Sequence, residues 1–137
     1  MTNNFSWRVR VYYEDTDAGG VVFYANYLKF FERARSEWLR AAGIGQQSLM
    51  HADAVMFVVT ATAVDYHAPA QLDDELLLTV VVEKLGRASV QFIQQAWRGE
   101  QLLTSGRIKV ACVDVKSFRP RPIPGSVLLK IAPQAGQ

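Results

Sequence analysis

One stretch of this sequence keeps a helical period, and almost everything after it keeps a strand period. From about Asn26 the apolar residues Tyr27, Phe31, Ala34, Trp38 and Ala41 fall on one stripe of a helical wheel, with Leu28 and Leu39 beside it. Lys29, Arg33, Ser36, Glu37 and Arg40 fall opposite. Gly43 is a natural C-terminal stop. One helix with so apolar a stripe needs a sheet to wrap it.

The strands are legible on both sides of that helix. Trp7 to Tyr13 alternates, with Trp7, Val9, Val11 and Tyr13 on one side, as a half-buried strand does. Ile44 to Asp53 reads as a connector with a short helical turn. Val55–Tyr66, Glu75–Glu83, Ala88–Trp97 and Leu102–Val115 then read as four strands, broken by Pro69 and Asp73-Asp74. Turns at Gly86-Arg87 and Arg98-Gly99-Glu100 join the last three into an antiparallel meander. Gln91 and Gln95 are unusual for a core face and are expected to meet solvent or a subunit boundary. Pro120, Pro122 and Pro124 open an irregular tail, with a last helical turn at Ser126–Ile131. The expectation is an α+β fold of one domain over residues 1–137, a long central helix against an antiparallel sheet of about five strands.

Between the first strand and the helix lies the acidic turn Glu14-Asp15-Thr16-Asp17-Ala18-Gly19-Gly20. It carries a carboxylate just ahead of a helix N-terminus, where backbone N–H groups lack partners. That pairing suits acyl-group chemistry: Asp17 to attack or to activate water, and amides to polarise a carbonyl. Tyr13 and Tyr24 flank the turn, and the glycine pair lets backbone approach a ligand closely. Two plainer readings stand beside this one. The acids and glycines serve equally as ordinary turn residues, and Asp15 with Asp17 could meet a divalent cation, although no further ligand recurs at suitable spacing.

Other candidates are poorer. Cys112 sits in an apolar strand and reads as core; as the single cysteine it allows no intrachain disulfide, which fits a reducing compartment. His51 and His67 read as surface or packing residues. Arg35 falls inside the apolar arc of the helix with Glu32 at its edge, three residues apart. They read as a structural ion pair, or Glu32 as a second catalytic acid. Lys84 and Arg87 around one turn, and Lys116, Arg119 and Arg121 in the tail, are solvated surface or a phosphate-holding cluster. A net charge of +2 makes no claim on nucleic acid. Met1–Ser6 has no signal-peptide core, and the longest apolar run, Leu76–Val82, is too short to span a bilayer, so the chain is expected to be soluble and cytoplasmic.

Tyr13-x-Asp15-Thr16-Asp17-x-x-Gly20-x-Val22, then Tyr24-x-Asn26-Tyr27, then Glu32-x-Ala34-Arg35 resembles the signature of hotdog-fold acyl-CoA thioesterases. The nearest groups are the Tol-Pal-associated and the 4-hydroxybenzoyl-CoA thioesterases. The likeness continues through Phe57-Val58-Val59, Tyr66-x-Ala68-Pro69-Ala70, Leu72-Asp73-Asp74 and Cys112-Val113-Asp114 to Arg119-Pro120-Arg121.

That resemblance implies a curved sheet wrapped around the helix and protomers paired edge to edge, as dimers or tetramers. It implies Asp17 as the catalytic aspartate, Tyr13 and Tyr24 beside it, and Gly20, Val22 and Ala25 around the substrate. Backbone amides near Tyr24 and Ala25 would polarise the thioester carbonyl. Coenzyme A, part of the substrate and not a cofactor, would cross a subunit boundary to Arg87, Arg119 or Arg121. No metal is implied. Many Tol-Pal-type members carry His where this chain has Tyr24, and a phenol is a poor base near neutral pH. Two rivals remain: hydration or dehydration of acyl thioesters, and a non-catalytic module that binds acyl-CoA or acyl carrier protein and docks to lipid-synthesis enzymes.

Overall fold

The computed structural model describes residues 5–135. Strand β1 (Phe5–Arg10) leads through a single 3-10 turn at Tyr13–Asp15 to helix α1 (Asn26–Ala41). A short helical turn α2 (Gln46–Ser48) runs into a wider turn at Leu49–Asp53. Strands β2 (Val55–Tyr66), β3 (Glu75–Leu85), β4 (Ser89–Arg98) and β5 (Gln101–Asp114) follow, and helix α3 (Gly125–Ala135) ends the described chain. The sheet is antiparallel throughout, in the order β1-β3-β4-β5-β2. This is the hotdog architecture, with α1 against the concave face.

The first strand is shorter than its alternation predicts. It leaves the ladder after Arg10, although Val11 remains fully buried. Val11 N–H donates to Asp74 O at 2.8 Å, and its carbonyl accepts from Asp73 N–H at 3.0 Å. Burial and backbone pairing thus continue one residue past the strand, and Tyr13 turns outward, 83% exposed. The tail helix is longer than the expected single turn, with Val127 and Ile131 buried.

The core forms where α1 meets the inward faces of β3, β4 and β5. Leu76, Leu78, Val80 and Val82 are buried at every second position of β3, as the period of a strand demands. Phe30, Phe31, Ala34 and Trp38 come down onto them from α1. The buried arc is turned toward Phe30, and Ala41, expected in the stripe, is exposed. At Gly106 the helix lies close to the sheet: a Cβ there would stand 3.1 Å from the Phe31 ring. Trp38 meets Phe92 edge to face, ring centroids 5.3 Å apart. The chain leaves α1 through Gly43 at φ +82°, a left-handed stop that favours glycine.

Two features of the sheet position everything that follows. First, β2 is an edge strand, paired among the described residues only with β5, and its middle residues from Val59 to Ala63 are exposed. Second, the sheet has two distinct ends. Arg10, Glu75, Arg98, Gln101 and Tyr66 lie at one end; Leu85, Ser89, Asp114 and Val55 lie at the other. The 10-residue β4 between them spans about 30 Å.

Candidate active site

The acidic turn folds into a tight hairpin at the first of these ends. Thr16 and Val22 form an antiparallel bridge, Asp17 N–H donates to Val21 O at 2.9 Å, and Phe23 N–H donates to Asp15 O at 3.0 Å. Gly20 sits at φ +81°, a conformation that a residue with a Cβ resists, and it donates its N–H to Asp17 O. The Asp17 side chain accepts from Gly19 N–H at 2.8 Å and is otherwise open to solvent. Asp15 is spent locally, its carboxylate accepting from Tyr12 N–H at 2.8 Å.

The hairpin is clamped from two sides. Val22 N–H donates to Ala70 O at 2.9 Å, and Val21 bridges to Gln71. That second loop is itself fixed: Arg98 pairs with Asp74 at 2.7 Å, and Asp74 accepts from Gln71 N–H. On the other side, Asn26 at the start of α1 donates its side-chain N–H to Asp15 O at 2.9 Å. Asp17 is therefore tied through two residues of chain to the first turn of the helix.

That helix start is open. Ala25 occupies the cap position, where no side chain can accept a hydrogen bond, and the first turn holds no acid. The backbone N–H groups of Tyr24 and Ala25 have no hydrogen-bond partner among the described residues. Donors left free at the positive end of a helix dipole favour developing negative charge.

An aromatic wall stands beside them. Tyr66, the last residue of β2, donates its hydroxyl to Tyr24 O at 3.0 Å. Its ring meets Tyr24 and Tyr27 at centroid distances of 6.2 and 5.6 Å. Burial, and then the neighbouring phenols of Tyr24 and Tyr27, push the Tyr66 hydroxyl above its ordinary pKa, so it stays a donor. Buried Tyr27 accepts from Ala70 N–H at 3.0 Å. Val22, Tyr24, Tyr27 and Tyr66 line one side of a shallow depression, closed by His67, Ala68 and Pro69.

The arrangement has known relatives. The model of the thioesterase superfamily matches residues 19–105, more than half of the chain. Over 127 residues the chain is 46% identical to the acyl-CoA thioesterase YbgC of Haemophilus influenzae, covering 93% of each. The chain belongs to the thioesterase superfamily. This member is also 46% identical to the acyl-CoA thioester hydrolase YbgC of Escherichia coli O157:H7, over 93% of its own length and 95% of the relative. A probable thioesterase from Bartonella henselae superposes with a TM-score of 0.85 at 33% identity, covering 88% of this chain and 99% of that one.

Elsewhere the structure sorts the remaining candidates of this thioesterase-superfamily chain. Tyr13 makes no side-chain hydrogen bond or ring contact among the described residues, and only its carbonyl is used, by Thr16. Arg87, Arg119 and Arg121 do gather, because Ile123 N–H donates to Arg87 O and Pro120 bridges to Val113. They gather at the end of the sheet opposite Asp17. Arg87 and Arg119 are exposed. Arg121 is committed to Asp114 at 3.1 Å and to Ala54 O at 3.3 Å. Asp114 is held down at about 2, first by N–H bonds from Ser117 and Lys116 and then by Arg121.

The expected Glu32–Arg35 ion pair is not formed. Glu32 accepts from the Ser36 hydroxyl at 2.7 Å, and Arg35 reaches the sheet to donate to Gln94 Oε1 at 2.9 Å. Burial lowers the Arg35 pKa, with Glu32 opposing that shift from a distance. Gln94, fully buried, also donates to Phe31 O at 3.1 Å. Gln91 and Gln95 face outward as expected, but Gln94 between them pins helix to sheet, a role that polarity alone hid. The roles of Tyr66 and Tyr27 had no local signal either, since their partners lie 42 and 43 residues away. His51 is exposed, His67 shares a hydrogen bond with the Ser105 hydroxyl at 3.1 Å, and Cys112 is buried.

Proposed function

We propose that this protein hydrolyses acyl-CoA thioesters to a free acid and coenzyme A, with Asp17 as nucleophile or general base. The observation that carries the reading is the pairing of an open carboxylate with an uncapped helix start, joined by the Thr16–Val22 hairpin. The thioester carbonyl oxygen accepts from the Tyr24 and Ala25 N–H groups, which stabilise the charge that develops on it. Attack by Asp17 gives an anhydride that water opens; as a base, Asp17 instead takes the proton of an attacking water. In both routes thiolate leaves and is protonated to free coenzyme A. Gly20 shapes the turn, Val22 and the Tyr24 ring border the acyl group, and exposed Tyr13 borders the approach.

A second copy completes the site in this proposal. The coenzyme A phosphates need cations, and Arg87 and Arg119 lie at the end of the sheet opposite Asp17 in the same chain. Two-fold, antiparallel pairing of exposed β2 edges sets the start of β2 in one copy against its end in the other. That brings one protomer's arginine end toward its partner's aspartate end. Arg121 contributes less, being tied to Asp114.

Thiol release from an acyl-CoA series, followed for the native protein and for Asp17→Asn, tests the reading. Turnover should fall about a thousandfold in the variant, with the fold intact. Near-native rates would remove Asp17 from the mechanism. Single turnover in oxygen-18 water detects the anhydride route where water opens the anhydride at the Asp17 carbonyl, since label enters Asp17 only after attack by the side chain. Binding of the thioester without thiol release would instead favour the non-catalytic module.

A further inference from the structure

The turn that follows β5 holds an aromatic ring in an uncommon backbone conformation. Phe118 sits at φ +60°, in the left-handed region that favours glycine. A bulky side chain is a true outlier there. The other two non-glycine residues with positive φ among the described residues are Ala54, which is small, and Asp73, a type that tolerates the region. The Phe118 ring gains little from the fold in return. It is 65% exposed and meets no other ring among the described residues. Hydrogen bonds on both sides impose the conformation. Asp114 Oδ2 accepts from Lys116 N–H and from Ser117 N–H, each at 2.9 Å. Phe118 N–H donates to Asp114 O, and Asp114 N–H donates to Arg119 O, each at 2.9 Å. Arg121 ties the same Asp114 to Ala54 O. The turn is a rigid mount that shows its ring to solvent.

We propose that Phe118 is the platform on which the adenine of coenzyme A stacks, with Arg87 and Arg119 meeting the phosphates beside it. The inference rests on the thioesterase reading, which assigns the phosphates to these arginines. The ring's neighbours are cations: Lys116 and Arg119 are exposed on either side of it in the chain, and Ile123 N–H, bonded to Arg87 O at 2.9 Å, brings Arg87 to the same end of the sheet. A purine has a π face, and stacking on a flat aromatic ring is its strongest sequence-independent contact. In coenzyme A the base and the phosphates hang from one ribose. A ring and a guanidinium on consecutive residues, with Cα atoms about 3.8 Å apart, suit that short spacing. An aliphatic occupant would have no use for the cations, and a bare phosphate none for the ring. Holding the ring ready in the free protein lowers the ordering cost of binding.

The test compares kcat/KM for an acyl-CoA with kcat/KM for the matching acyl-pantetheine thioester, which lacks the nucleotide. It uses the native protein, Phe118→Leu, Phe118→Trp and Phe118→Gly, with the Kd of coenzyme A and the thermal unfolding of each. Phe118→Leu keeps apolar bulk without a π face, and should lower the preference for acyl-CoA over acyl-pantetheine at least about fivefold. Phe118→Trp should keep or raise that preference. Phe118→Gly should lower it as Leu does while unfolding no lower than the native protein, because glycine relieves the φ of +60°. A Leu variant with the native preference, or a Trp variant that loses as much as Leu, overturns the proposal. So does a Gly variant that keeps the preference and unfolds lower, which makes the ring structural. A native protein that binds coenzyme A and releases no thiol overturns hydrolysis alone. The Kd series then decides the platform: weaker binding by Phe118→Leu supports it, and equal binding overturns it.

Discussion

The hydroxyl of Tyr66 donates to the carbonyl of Tyr24 at 3.0 Å, tying the last residue of edge strand β2 to the chain just ahead of α1. The peptide that carries that carbonyl also carries the Ala25 N–H. Tyr66 therefore holds the orientation of one of the two open amides. Tyr66→Phe should lower kcat roughly fivefold with KM little changed, and lower stability by no more than about 1 kcal/mol. A fall in unfolding temperature with kcat unchanged would make the bond purely structural.

Gly20 offers a cleaner test of backbone geometry. A Cβ there would meet no atom within 4 Å, so a substitution feels only the φ of +81°. Gly20→Ala should cost about 1 kcal/mol and lower the unfolding temperature by a few degrees. Gly20→Asn should cost less, because Asn tolerates this region better. Equal losses for the two would show that space, not φ, governs the position.

Gln94 and Arg35 form a polar pair between helix and sheet, and their removal should not be additive. Gln94→Leu strands a largely buried guanidinium, and should cost about 2–4 kcal/mol in urea unfolding. Adding Arg35→Met removes the stranded charge and should recover part of that loss. A double variant as unstable as the sum of the two singles would mean that the pair does not interact energetically.

Asp114 governs part of the acid limb of stability. Its carboxyl titrates at about 2 in the fold, below the ordinary 3.8. A depressed folded pKa means that the unfolded chain binds the proton more readily. The contribution is fully present above about pH 4 and is lost as pH falls through about 2. Asp114→Asn should flatten the pH dependence of unfolding in that window and leave the slope above pH 5 unchanged. A carboxyl resonance of Asp114 titrating near 4 would contradict this.

The helix and the meander were readable because burial there follows a strict period: 3.6 residues along α1, two along β3. The first strand ended earlier than its alternation suggested because Val11 stays buried while its hydrogen bonds pass to Asp73 and Asp74. The Glu32–Arg35 spacing was right for a surface pair. Burial changed the outcome, since it carried Arg35 to an acceptor 59 residues away. The inward turn of Gln94 has no sequence signal, because a polar side chain in a strand reads as outward unless its tertiary partners are known. The Asp17 turn was legible from its own residues. The separation of Arg87 and Arg119 from it was not, because a linear pattern does not say at which end of a sheet a turn emerges.

The two-ended sheet has a genetic consequence. If each site draws its carboxylate from one chain and its cations from the other, two differently damaged chains can restore one another. A protomer bearing Asp17→Asn, mixed with one bearing Arg87→Ala and Arg119→Ala, would form a hybrid with one doubly defective site and one intact site. Unfolding and refolding such a mixture should return about a quarter of native activity, from parents that each have little. Sites built within single chains would give back nothing.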